Sequence, residues 1–485
     1  MPETDITSPK IPKFNVPKGS LGLKLILVCA LVILMAIPAM FVSRVSYERS
    51  DRANEVTAEV SKRYGGEQYI SGPILVAPYS QFDADGNFAE SGNYAVFANK
   101  GHAEFANIKT QIRKRSLFKV PTFQGEGVLT GQFDSPARLD KEMTIEIDWS
   151  KAKIMVALSD VRGLKSDVVM TMPDGQTRTF QPASFDDLVR RVEVPQVVGQ
   201  PVRTNRVTRS YGWLNQSKVQ SYLSVDASDL VETTEGFTVK IDLNISGARR
   251  LGITPFAQST TVNLASDWSD PGFEGGFAPD ERAIGDAGFS VDWSVPYLRR
   301  GIRAHGKAQN LGPLFSQDKV MTVQFVSTDN PYQTVNRALK YAVMFIGLVF
   351  LAYFLFEIIV GVRVHPAQYI LIGLAQSIFY LLLLAFAERI GFTGAFILAA
   401  GLTITATAGY AGAVFGDRKY IARAGSVFLM VYGLLYALMR MQDFALMIGA
   451  LASFTAIAGT MYLTRKMDWY DLQQAAIPAV RKSVA

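Results

Sequence analysis

The chain has one cysteine, Cys29, in 485 residues. No intrachain disulfide can form, so any exported domain must rest on its own packed core. Histidine is nearly as scarce. His102, His305 and His365 are the three present, and they are widely scattered. Without a second cysteine, a His/Cys metal site is not credible. H-E-x-x-H, the phosphate-binding P-loop and the G-x-S-x-G nucleophile elbow are all missing. Two histidines among many serines make no triad without a spacing that brings them together. No cofactor, metal or catalytic residue is implied. An excess of one charge is lacking too: 49 Lys and Arg face 43 Asp and Glu, a net +6. Much of that surplus flanks apolar runs, which argues against nucleic-acid binding. There is no internal repeat.

The last third of the chain lacks charge. Tyr341–Val362 is apolar except for Glu357. Ala367–Ala387, Phe392–Phe415, Gly425–Met441 and Phe444–Leu463 follow. Each run has about 17–24 residues, the length a helix needs to cross ~30 Å of hydrocarbon, and a helix satisfies its own backbone in lipid. Five such runs in succession are unlike the interior of a soluble protein. A sixth, Leu25–Val42, follows Lys24. It is longer than a signal peptide's apolar region and lacks an A-x-A site, so it reads as a retained anchor. Val28 is too large for a lipoprotein site at Cys29. One set of connections carries Arg363 with His365, then Arg418, Lys419 and Arg423, then Arg465, Lys466, Arg481 and Lys482. The opposite ends carry only Arg389 and Arg440, each beside an acid. The positive-inside rule puts the first set, and both termini, in the cytoplasm.

The segment held outside changes period. Tyr47–Arg63 continues the first helix as a charged stalk, and Gly65-Gly66 stops it. Met143, Ile145, Ile147 and Trp149 alternate with polar residues. So do Phe237, Val239, Ile241, Leu243 and Ile245, then Met321, Val323 and Phe325. Period two marks half-buried strands. Asp85-Gly86-Asn87 and Pro173-Asp174-Gly175 are turn signals. Many short strands predict antiparallel sheets stacked as a sandwich. Ser184–Val192 suits a short helix. Gln196–Gly236, with Arg203, Arg206, Arg209 and Lys218, reads as a polar insertion or long loop.

The expected fold class is therefore an α+β membrane protein: six transmembrane helices, with a large β-rich, sandwich-like periplasmic domain inserted between the first and second. The expected divisions are a cytoplasmic tail over 1–20, a first transmembrane helix over 21–43, a stalk over 44–63 and the periplasmic domain over 64–336. A five-helix bundle over 341–463 and a cytoplasmic tail over 464–485 complete the chain.

Several stretches resemble the CreD family of bacterial inner-membrane proteins. They are Tyr64-Gly65-Gly66-Glu67-Gln68 leading into Ser71–Tyr79, Ser266–Pro271 with Phe273, Gly276, Phe277 and Pro279, Arg363–Tyr369, and Tyr462–Tyr470. Each is weak alone; their order and spacing carry the likeness, from about Leu25 to Tyr470. Tyr64 stands where the family usually has Trp, and the basic segment 196–236 is longer than usual. The resemblance implies an envelope-integrity protein linked to the response to β-lactams and to colicin tolerance. It implies no enzymatic mechanism.

Candidate sites fall into two groups. Intramembrane polar residues are costly and so are candidates for function. Glu357 could pair with Arg363, or face Gln368 or Gln376 as part of a proton or substrate relay; a structural pair is the simpler reading. Tyr432, Tyr436 and Arg440 share a helix face, with Glu388 or Asp443 as partners for Arg440. Gly401, Thr405, Gly409 and Ala413, beside Ala408, Gly412 and Gly416, allow close helix packing, within the bundle rather than in a homodimer. Outside, Asp267, Trp268, Asp270, Phe273 and Phe277 suit a loop for a sugar or a partner; aromatics capping the sandwich core are the simpler reading. The expected partners are the lipid bilayer and envelope components or other membrane proteins. A non-enzymatic scaffold or sensor leads; a transporter or lipid-handling protein using Glu357, and a periplasmic glycan-binding or hydrolysing protein using Asp267 and Asp270, stand as alternatives.

Overall fold

A computed structural model of the chain describes residues 21–82, 88–115, 118–136, 145–184, 221–231, 236–308, 319–325, 331–360, 364–441 and 444–465. It divides into two compact units, Met1–Arg52 with Asp329–Ala485, and Ala53–Thr328.

The first unit is helical. Helices α1 (Leu21–Leu34) and α2 (Ala36–Arg63) are separated at Met35. The cause is Pro38, which has no N–H to give to the carbonyl four residues back. Leu25–Val42 is one uninterrupted apolar run in the sequence, so this break is an addition. Helix α3 (Pro331–Lys340) precedes α4 (Ala342–Val360). It buries Tyr332, Val335 and Ala338, a helical spacing on one face. The unit boundary accordingly falls before Asp329, upstream of the 336 expected. Helix α5 (Pro366–Phe415) has 50 residues, and Gly391 interrupts it with φ 75 and ψ 167. At ~1.5 Å per residue it spans about 75 Å, too long for one traverse of ~30 Å. Helices α6 (Lys419–Arg440) and α7 (Ala445–Thr464) follow. Lys24–Arg63, Ala342–Val360, Pro366–Phe415 and Lys419–Arg440 are each long and apolar enough to cross a membrane, and Met447–Tyr462 is apolar but shorter. The core is aromatic: Phe345, Phe350, Tyr353, Phe354, Tyr369, Phe379 and Phe428 are buried. Gly373 lets α1 approach α5, since a Cβ there would lie 2.6 Å from Met35 Cγ.

The second unit is β-rich. After Arg63, Gly65 (φ 90) and Gly66 (φ 67) turn the chain in conformations that favour glycine. The strand Gln68–Phe82 pairs antiparallel with the first part of Phe88–Arg115. The second part of that 28-residue strand pairs with Phe118–Phe133 and, in parallel, with Ala257–Ser266. One long strand thus belongs to two sheets. Phe237–Ala248 runs antiparallel to Phe118–Phe133, from Phe237 opposite Phe133 to Ala248 opposite Thr122. Its alternate residues Phe237, Val239, Ile241, Leu243 and Ile245 enter one large apolar core. Most pairings are antiparallel; Gln68–Ile70 with Leu251–Ile253 is a second parallel exception to the expected pattern.

Part of the expected loop 196–236 is ordered structure. Ser221–Asp226 is a strand on Lys153–Leu158, and a one-turn helix Ser228–Val231 follows. Tyr222 packs into one apolar cluster, Leu223 and Val225 into another. With both faces covered, no period-two signal survives. Pro173–Gly175 links paired strands Val169–Thr171 and Thr177–Thr179. Of the first alternating run, Ile145–Ile147 is a strand and Trp149 opens a 3-10 turn. Met143, Asp85–Asn87, Ser184–Val192 apart from Ser184, and Arg203, Arg206, Arg209 and Lys218 lie outside the described residues.

Candidate functional site

The most connected polar cluster of the helical unit surrounds Glu357, near the end of α4 and 7 % exposed. Its Oε1 accepts from Lys24 Nζ, at the start of α1, and from Val364 N at 3.0 Å. Its Oε2 accepts from Tyr369 OH at 3.0 Å. Lys24 Nζ also donates to Val364 O at 2.8 Å. The turn that makes this possible is built locally. His365 caps α5, its Nδ1 accepting from Ala367 N at 3.2 Å. Gln368 closes the box by accepting from His365 N at 2.9 Å. Pro366 stands at the helix start, where its missing N–H costs nothing. The stretch Val364–Tyr369 therefore serves one end: it presents a backbone N–H, a carbonyl and a phenol to one ion pair.

The sequence suggests other partners for Glu357: Arg363, Gln368 or Gln376. Gln368 is used in the cap and Gln376 elsewhere, while Arg363 lies outside the described residues. The cation found at Glu357 among the described residues, Lys24, is 333 positions away in sequence, beyond any periodicity argument.

Tyr432 has partners separate from those of Tyr436 and Arg440. Tyr432 is buried and donates to Gln376 Oε1 at 2.5 Å. Arg440 donates to Thr393 Oγ1 at 3.2 Å and to Tyr436 OH at 3.4 Å. Glu388 instead accepts from Tyr332 OH of α3 at 3.0 Å, and Asp443 lies outside the described residues. Arg337 of α3 donates to Met439 O at 3.1 Å, so α3 is fastened to both α5 and α6. Neither Tyr332 nor Arg337 stands out in the sequence. Of the two small-residue rows, Gly401, Thr405, Gly409 and Ala413 are exposed rather than packed within the bundle. Gly412 is the one in close contact: a Cβ there would lie 2.3 Å from Ile421 Cγ1.

In the β unit, the loop candidates sit on structural contacts. Asp267 accepts from Thr110 N at 2.8 Å and Thr110 Oγ1 at 2.7 Å. Trp268 Nε1 donates to Asp270 O at 3.0 Å, and its ring meets Phe325 edge-on. Phe273 meets Phe289 and Trp293 edge-on. Phe277 is 7 % exposed, and its carbonyl accepts from Trp293 Nε1 at 3.2 Å. Gly275 has φ 106, and a Cβ would come 1.8 Å from Val320 O, so the glycine is required by backbone packing. Nearby in sequence, Arg300 is a buried cation, 1 % exposed. Its guanidinium carbon lies 4.0 Å from the Phe97 ring centre, and Nε donates to Pro255 O at 3.2 Å. Its two terminal nitrogens have no partner among the described residues. Burial pushes its pKa down to about 10. Among the described residues no group of His, Cys, Asp and Glu could hold a metal.

The sequence is similar to that of a known protein across nearly its whole length. Inner membrane protein CreD of Escherichia coli (strain K12) is 27 % identical over 455 residues, which is 90 % of this chain and 91 % of that protein. The family model for inner membrane protein CreD matches residues 20–470. That span contains Lys24, Glu357 and the whole Val364–Tyr369 turn, and the chain belongs to the CreD family of inner membrane proteins.

Proposed function

We propose that this chain crosses the inner membrane six times with both termini in the cytoplasm. Its β-rich unit is then periplasmic, and it supports cell-envelope integrity under stress as a scaffold or sensor without turnover. Six crossings follow if α1 with the start of α2, α4, the two halves of α5, α6 and α7 each traverse once. The orientation follows from the cationic connections.

The observation that carries the reading is the state of Glu357. Both its oxygens are occupied by a cation, a backbone N–H and a phenol, which come from α1, from the turn before α5 and from α5. Such an arrangement ties elements together. A relay group would instead need a change of partner as its proton came and went.

The test is a deletion strain assayed for β-lactam and detergent sensitivity, complemented by Glu357→Gln and by Trp268→Ala. A scaffold predicts that each variant restores resistance in proportion to the folded protein it supplies. A Glu357→Gln protein that is folded, inserted at normal abundance and inactive would sink the scaffold reading in favour of a relay. A reporter fused near residue 150 tests the topology, and activity confined to the cytosol would reverse it.

A further inference from the structure

Midway along the bundle three polar side chains sit among aliphatic and aromatic ones. Gln376 of α5 is 5 % exposed, Tyr380 one turn on is 1 %, and Tyr432 of α6 is 4 %. Gln376 is about ten residues beyond Pro366, roughly 15 Å along the helix, and half of a ~30 Å hydrocarbon layer. None of the three belongs to the Glu357 cluster.

Their hydrogen bonds do not close. Tyr432 donates to Gln376 Oε1. Gln376 Nε2 and the Tyr380 hydroxyl then have no partner among the described residues. Turning the amide over does not help: its nitrogen would donate to Tyr432, and its oxygen would be left. An unpaired amide or hydroxyl is costly anywhere in a protein interior, and lipid offers no substitute partner.

The same three side chains line a cavity of about 10 Å³, together with Phe345, Ile346 and Val349 of α4 and Leu435 of α6. That is the room for one water centre, and a buried water needs two to four polar partners. No charged side chain lines the cavity, so a bare ion would be uncompensated there.

We propose that Gln376, Tyr380 and Tyr432 form a binding site for a single water molecule at the middle of the membrane bundle. The water accepts from Gln376 Nε2, donates to the Tyr432 oxygen and shares a hydrogen bond with the Tyr380 hydroxyl. It joins α5 to α6 at a depth where no direct side-chain bond completes the set. This goes beyond the scaffold reading and does not depend on it.

The experiment uses the full chain in lipid bilayers. Water-edited solid-state NMR reads water contact at the assigned Gln376 side-chain amide, and thermal unfolding is compared between the unmodified chain and Tyr380→Phe. The expected result is a water contact at Gln376 that weakens in Tyr380→Phe, with the midpoint lowered by about 2–4 °C. The sign is decisive. If the hydroxyl had no partner, removing it from apolar surroundings would be neutral or stabilising. An unchanged or raised midpoint therefore overturns the site. So does the lack of a water contact at Gln376 in the unmodified chain, whatever the midpoint does.

Discussion

Glu357 in the helical unit and Arg300 in the β unit are both buried charges, yet they are accommodated by opposite means. Glu357 accepts three hydrogen bonds, one from a cation. Among the described residues the Arg300 side chain makes one, to Pro255 O, and lays its guanidinium over Phe97. The difference follows from the chemistry of the groups. A carboxylate is compact, and its charge must be met by donors or a cation nearby. A guanidinium is delocalised and weakly hydrated, and it can rest on an aromatic face. Surroundings matter as well. Hydrocarbon supplies no hydrogen bonds, so a buried charge in a membrane bundle needs its partner from the protein itself.

The sharpest way to break this contrast is to remove the carboxylate. Glu357→Leu leaves Lys24 without its counter-charge and should cost about 3 kcal/mol, read as chemical denaturation in detergent micelles. Lys24→Met combined with Glu357→Leu should recover most of it, as a coupled pair requires; additive losses would show that the pair is not a unit. Next come the two faces of α5. Gly412→Leu must displace Ile421 and should cost about 1–3 kcal/mol. A Cβ added at Gly409 would meet nothing within 4 Å, so Gly409→Leu should stay within about 0.5 kcal/mol.

Arg300→Met tests the other side of the comparison, followed by the fluorescence of Trp149, Trp268 and Trp293. It should not lower the unfolding midpoint, because it removes a buried charge whose terminal nitrogens lack partners among the described residues. The pH dependence has a definite sign. The folded pKa, about 10, lies below the ordinary guanidinium range. The stability linked to deprotonation is therefore full only above the ordinary guanidinium pKa and lost as pH falls through about 10. Between about pH 6 and about pH 9, Arg300 should contribute no slope.

The smallest effect expected is at the surface. Arg178 holds the Asp229 carboxyl below its ordinary 3.8, chiefly by hydrogen bonding. That contribution is present above 3.8 and lost as pH falls below it. Arg178→Met should cost at most about 1 kcal/mol at neutral pH and should flatten the acid limb of the stability curve.

How much of this was legible beforehand differs between the elements. The long apolar runs and the alternation of Phe237–Ile245 are dense local signals, and they fall in helices and a strand, although Leu25–Val42 is divided between α1 and α2. The strand Ser221–Asp226 is not legible, since both of its faces are covered. Helix α3 is short and polar in composition, and only its buried Tyr332, Val335 and Ala338 reveal it. Glu357 stood out because a lone acid in an apolar run is expensive. Lys24 did not, although α1 begins and α4 ends at Glu357's own level; nothing in the intervening chain links the two.

Sequence alone determined which segments seek lipid, which alternate as strands and where Gly65-Gly66 stop a helix. These follow from short-range periodicity and backbone chemistry, which a few neighbouring residues specify. Only the tertiary structure decided that Lys24 answers Glu357, that Glu388 takes Tyr332 rather than Arg440, and that Gln376 and Tyr380 are left incompletely bonded. Partner choice among buried polar groups depends on which helices meet and at what level, and that is a property of the packed bundle.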